Sequence, residues 1–136
     1  MDTEGTRQLI HRFLEARAAN DYDGVYEVLA DDAEWFPPRS AQIGPFHGRE
    51  EVAKALVGGA AGAILDYSTI KREVRKVLVD GDSAAVQLSL TAQTVKGMIY
   101  ENEYCWIYTC RGDRIQQLDE YADTLPAGRV FGWISE

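Results

Sequence analysis

A chain of 136 residues, 46% hydrophobic and 26% charged, has the length of one domain and enough apolar material for a core, which excludes disorder and a fibrous fold. Residues 1–136 therefore read as a single domain. Twenty-two Asp and Glu against 14 Lys and Arg leave a formal net charge of -8, a surface that repels phosphate backbones and excludes nucleic acid as an expected partner.

Thr3 or Thr6 can cap a first helix, in which Leu9, Ile10, Phe13, Leu14 and Arg17 recur at intervals of three and four residues on one face. Asn20 to Gly24 breaks it, and the acidic residues there open a short second helix carrying Val25, Val28 and Leu29. Glu34-Trp35-Phe36 is extended and stops at Pro37-Pro38, because consecutive prolines lack donors and disfavour helix before them. After an irregular loop to Gly48, Val52, Ala53, Leu56 and Val57 mark a third helix from Arg49, closed by Gly58-Gly59. The glycine-rich stretch up to Gly62 follows no strand and has no lysine at phosphate-loop spacing, so it belongs to helix termination rather than phosphate binding.

The hydrophobic period then shortens. Ile70, Val74 and Leu78 share one parity of a strand that turns at Asp80-Gly81-Asp82, and the basic run Lys71, Arg72, Arg75, Lys76 forms its wet face. Val86, Leu88, Leu90 and Ala92 alternate with polar residues as in a half-buried strand. A turn near Lys96-Gly97 leads to a strand over Tyr100 to Cys110, and Arg111-Gly112-Asp113 to a last strand over Ile115 to Asp123. Helices followed by a four-strand antiparallel meander predict an α+β fold with the helices segregated on one face. No apolar run approaches the roughly 18 residues that cross a bilayer, so no membrane partner and a cytoplasmic location are expected. Cys105 and Cys110 would lie about 17 Å apart on one strand, too far for a disulfide, and free thiols fit a reducing compartment. The histidines are His11 and His47 alone, neither at ligand spacing from the cysteines, so no metal and no cofactor is expected.

Pro45-Phe46-His47-Gly48-Arg49-Glu50-Glu51 opening the third helix, Gly112-Asp113-Arg114-Ile115, and Glu120-Tyr121-Ala122-Asp123-Thr124 around the last strand carry a likeness. From about Thr6 to Phe131 the chain resembles the nuclear-transport-factor-2-like superfamily, in its SnoaL-like and ketosteroid-isomerase-like branch. The resemblance implies a cone-shaped barrel of a curved, mainly antiparallel sheet around a pocket, with three N-terminal helices partly shutting the mouth. It also implies a small hydrophobic ligand (polyketide-like, terpenoid or aromatic) and homodimers formed through the sheet. Since the superfamily includes isomerases, cyclases, epoxide hydrolases, dehydratases and noncatalytic binders, it specifies the fold better than the reaction.

Alignment to that family turns Leu118, Glu120 and Ala122 towards the pocket, although the residues alone leave the face of the last strand open. A carboxyl at Glu120 among apolar groups has its pKa raised into the range of general acid or base work, and Glu120 is the catalytic candidate. It can equally be exposed, or tied to an arginine as a structural pair. Asp123 is assigned to capping the turn after the strand. On the neighbouring strand either Glu101, Glu103 and Cys105 or Asn102 and Tyr104 face inward. The resemblance favours the odd set and sends the rings of Tyr104, Trp106 and Tyr108 outward to a dimer face; packing within the chain is the other assignment. Phe13, Trp35, His47, Glu103, Cys105 and Leu118 are the substrate-binding candidates, with Phe36 and Phe46 as further wall, His47 near the mouth and Trp133 closing the base.

Ketosteroid isomerase itself is excluded, because its catalytic positions fall on Phe13, Pro37 and Cys105, none of which reproduces its tyrosine and two aspartates. Limonene-epoxide hydrolase needs an Arg-x-Asp where this chain reads Ser89-Leu90-Thr91-Ala92-Gln93. Glu120 does match the final-strand acid of that hydrolase and of the SnoaL-like cyclases, one methylene longer. Two expectations follow: a cofactor-independent isomerase-, cyclase- or lyase-type enzyme working through Glu120, or a noncatalytic binding domain of the same fold.

Overall fold

The computed structural model describes residues 1–59 and 61–134. Two helices, α1 (Thr3–Ala18) and α2 (Tyr22–Val28), lead into strand β1 (Leu29–Phe36), followed by a two-residue strand β2 (Phe46–His47) and helix α3 (Arg49–Lys54). The long strands β3 (Leu65–Asp80), β4 (Ser83–Thr94), β5 (Ile99–Arg111) and β6 (Arg114–Ala122) form the expected meander, and helix α4 (Thr124–Phe131) follows. The six strands make one open, curved sheet in the order β2-β1-β6-β5-β4-β3, antiparallel except where β1 runs parallel to β6. This is the α+β cone that the resemblance implied.

The helices and the inner face of the sheet share one core. Leu9, Ile10 and Phe13 of α1 and Val25 of α2 are completely buried against Val86, Tyr108, Ile115 and Leu118 of the sheet, so each strand's buried parity is dictated by what the helices cover. The motif before α3 acts as a clasp. Arg49 donates from Nε to the Tyr26 carbonyl at 2.7 Å and from Nη2 to the Glu27 carbonyl at 3.1 Å, tying the start of α3 to the end of α2, where the Tyr26 carbonyl also accepts from Leu29 N. Its guanidinium also lies 4.1 Å from the centre of the Tyr26 ring.

Local structure departs from expectation in four places. Asp2, not Thr3 or Thr6, caps α1 by accepting from Gly5 N at 2.7 Å. The two threonines instead hold the β3–β4 turn: Thr3 Oγ1 accepts from Gly81 N and Thr6 Oγ1 donates to Gly81 O, at 3.0 and 2.6 Å. Regular α3 ends at Lys54 and continues as a wider turn over Ala55–Gly59, where Val57 leaves helical geometry and Gly58 takes φ +95°, a conformation that suits glycine. In β3 a bulge between Val74 and Lys76 breaks the parity linking Val74 to Leu78, placing Leu78 on the outer face opposite Ala85. The fourth departure is α4. Asp123 does bind backbone at the strand end, accepting from Leu125 N at 3.1 Å, and thereby caps a helix where the sequence suggests only a turn.

Candidate functional site

A cavity of about 280 Å³ opens between the inner face of the sheet, the end of α1, the Pro37–Ile43 loop and α4 with the segment after it. Glu120 reaches it from β6. The antiparallel register sets Glu120 opposite Trp106 and Ala122 opposite Tyr104, and opposed residues project from the same face. Trp35, on the parallel neighbour β1, donates from Nε1 to Glu120 Oε1 at 3.0 Å. Its ring stacks on Phe46 at 4.9 Å and tilts against Trp106 at 5.8 Å, so the donor has little freedom to leave the carboxyl. Burial pushes the Glu120 carboxyl up from 4.5 to about 7, against the opposing pull of the Arg17 charge and the Trp35 hydrogen bond. Among the described residues no ion pair includes Glu120.

Two arginines share the cavity. Arg17, in the last turn of α1, lays its guanidinium over the Trp106 ring with 4.7 Å between the guanidinium carbon and the ring centre. Its buried Nε has no hydrogen-bond partner. Arg72 projects from β3 opposite Leu90, and burial followed by the neighbouring Arg17 charge lowers its pKa to about 10. This corrects its assignment to the wet face of the strand.

Tyrosine hydroxyls complete the polar set. The Tyr104 hydroxyl, at the cavity, shares a 2.6 Å hydrogen bond with Tyr100, whose oxygen also accepts from Asn102 Nδ2 at 2.8 Å. Burial raises the pKa of both phenols. The remaining wall is mainly apolar, with Pro37, Ile43, Ile64, Leu88, Phe131 and Trp133 among its members. Among the described residues no three His, Cys, Asp or Glu side chains gather as a metal site.

The candidates named from sequence divide between this cavity and other places. Trp35 and Glu120 line it. Phe13 and Leu118 lie behind the wall, fully buried, with Phe13 edge-on to Tyr108 at 5.3 Å between ring centres. His47, in β2, does not line the cavity; its Nδ1 meets Glu34 Oε2 at 2.7 Å and its backbone N–H donates to Glu51 at 2.7 Å. Glu103 and Cys105 are on the opposite face of the sheet, Glu103 bonding Ser89 and Arg75. The inward set of β5 is thus Tyr100, Asn102, Tyr104, Trp106 and Tyr108, and the three rings expected at a dimer face pack inside the chain. The cause is a one-residue bulge in β6 between Ile115 and Gln117, opposite Cys110 and Thr109, which reverses the pairing parity set by the tight turn. Arg17 and Arg72 are not among the site residues the sequence suggests, and Tyr104 belongs to the alternative parity, with Asn102, that the resemblance disfavours. Arg17 carried a readable signal, a cation four residues after Phe13 on an otherwise apolar helix face.

The family model for the SnoaL-like domain matches residues 10–118. The chain belongs to the SnoaL-like family. Among solved structures, this SnoaL-like chain is similar to an NTF2-like protein of unknown function from Burkholderia pseudomallei, at 19% identity and a TM-score of 0.83, with 93% of this chain and 96% of that one covered. Bal32a from a soil-derived mobile gene cassette matches at 21% identity, TM-score 0.81, covering 98% and 100%. An LEH-like epoxide hydrolase from M. tuberculosis matches at 16% identity, TM-score 0.73, covering 96% and 90%. At these identities the likeness establishes the fold. No significant match is found among curated proteins. Among the described residues, no helix of the SnoaL-like chain is long and apolar enough to cross a membrane.

Proposed function

We propose that this SnoaL-like protein is a cofactor-independent enzyme in which Glu120 moves a proton to or from the carbon beside a carbonyl of a small, largely hydrophobic molecule. The observation that carries the reading is the Glu120 carboxyl, the one carboxyl among the described lining residues of a cavity with aromatic and aliphatic walls, hydrogen-bonded by Trp35 and pushed up by burial to about 7. At neutral pH such a group is present both as acid and as base, the condition under which proton transfer to carbon is most effective. With Tyr100 accepting from Asn102 and donating to Tyr104, the Tyr104 proton is directed to the carbonyl oxygen as charge develops there. The test is deuterium incorporation from D2O into 2-tetralone and related cyclic ketones. Exchange above the buffer rate should rise with pH through about 7 and return to the buffer rate in Glu120→Gln; equal exchange by both proteins removes Glu120 from the mechanism.

A noncatalytic binding domain is the second reading, favoured by one observation: Glu120 is the only carboxylate, and no histidine is present, among the described cavity residues. Either role is compatible with a homodimer through the sheet. The outward residues of β4 and β5 are all exposed or half-buried, and Leu78, Ile99 and Tyr121 stand 60%, 66% and 60% exposed, apolar area that a second copy would cover. Solution mass at micromolar concentration distinguishes dimer from monomer.

A further inference from the structure

The two arginines have no evident structural purpose. A guanidinium drawn off the surface is normally matched by a carboxylate or by carbonyl oxygens, because its five N–H donors are costly to strip of water; both arginines are half-buried, and Arg17 Nε is buried without a partner. Among the described residues neither Arg17 nor Arg72 makes a side-chain hydrogen bond or ion pair, although both reach the same cavity. The Trp106 ring beneath Arg17 attracts its charge but accepts none of its N–H donors in a conventional hydrogen bond. Arg72 faces inward from an edge strand on which Lys71 and Glu73 point outward, so an external position was one residue away.

Charge adds to this. The protein carries a formal -8 overall, yet the described cavity holds two guanidiniums and one carboxyl that is half neutral near pH 7. The site is a positive spot inside an acidic molecule. Like charges drawn together in a low-dielectric space repel, and Arg72 registers the repulsion of Arg17. Such an arrangement is stabilised when an anion sits between the two groups.

We infer that the cavity binds a hydrophobic organic carboxylate, its charged group held by Arg17 and Arg72 and its apolar body against Ile43, Leu88, Phe131 and Trp133. The inference rests on the reading of this cavity as the ligand site and narrows its ligand to an acid. It does not depend on catalysis. The arginines lie on two different elements, α1 and β3, so a ligand bridging them also ties the helical layer to the sheet.

Binding of 2-naphthoate and of 2-naphthamide, which share shape and differ in charge, is measured at neutral pH through Trp35 and Trp106 fluorescence and by calorimetry. A series of larger and smaller aryl acids and their amides is run alongside. The acid is expected to bind about tenfold or more tightly than its amide, the scale of one charge-assisted hydrogen bond. Arg17→Gln and Arg72→Gln should each reduce that preference while amide binding stays, and Arg72→Lys should retain part of it; circular dichroism verifies folding of each variant. Glu120→Gln should keep the preference, so the anion site survives even if the proposed proton transfer fails. Acids binding no better than amides, a preference that persists without both arginines, or no binding across the whole series would each overturn the inference.

Discussion

Replacing Glu120 by Gln keeps the side-chain shape and an oxygen for Trp35 Nε1 while removing the proton that titrates. Burial raises this carboxyl from 4.5 to about 7 in the folded chain, so between those values the native state holds a proton that the unfolded state has released. Stability from this group is therefore complete below about pH 4.5 and is lost as pH rises through about 7. The interval corresponds to a ceiling of about 3 kcal/mol, and for a group that still has partial access to water roughly half of that is expected. Urea denaturation of both proteins, followed by tryptophan fluorescence from about pH 4 to about pH 8, isolates the effect, because every other titrating group cancels in the difference. The variant should gain on the parent by about 1.5 kcal/mol or more across the range, a rise in melting temperature of roughly 5 °C. A difference that stays constant with pH would refute the claim that this carboxyl is held away from water.

Trp35→Phe removes the donor that favours the ionised carboxyl, so the Glu120 pKa should rise further, as read by side-chain NMR titration, at a stability cost of about 1 kcal/mol. Phe13→Ala empties a fully buried site against Tyr108 and should cost about 3–5 kcal/mol in denaturation experiments. Glu103→Gln and Cys105→Ala act on the outer face and should leave ligand affinity unchanged, with stability within about 0.5 kcal/mol of the parent, since the Arg75 pair is surface-exposed; a large loss of affinity in either would place the ligand elsewhere.

Most of the architecture was legible because burial imposes periodicity. The alternation of Val86, Leu88, Leu90 and Ala92 described β4 correctly, since β4 pairs with β5 in unbroken register. The inward face of β5 was not legible. A tight turn pairing Arg111 with Arg114, continued without interruption, would set Cys105 opposite Glu120, and the odd residues would then share the cavity with the acid. One inserted residue, Gln116, moves Trp106 into that place; its trace in the sequence is faint, the three-residue spacing of Ile115 and Leu118, which share a face of the sheet and are both fully buried only because of the bulge. The same limit applies to Arg72, whose inward direction depends on strand register rather than on residue type. Glu120 is named through the family resemblance, which sets the face of the last strand; with Asp119 and Asp123 on the other parity, the residues alone leave that face open.

The paired bonds from Thr3 and Thr6 to Gly81 give α1 a fixed foot at the tip of the β3–β4 hairpin. Arg17 stands eleven residues beyond Thr6, roughly 16 Å along the helix, and between them Leu9, Ile10 and Phe13 are buried in the core. The helix is thus held at its foot and along its length, which fixes the place of the guanidinium over Trp106. Side chains far from the cavity, at a turn that no ligand touches, thus help set where its positive charge sits.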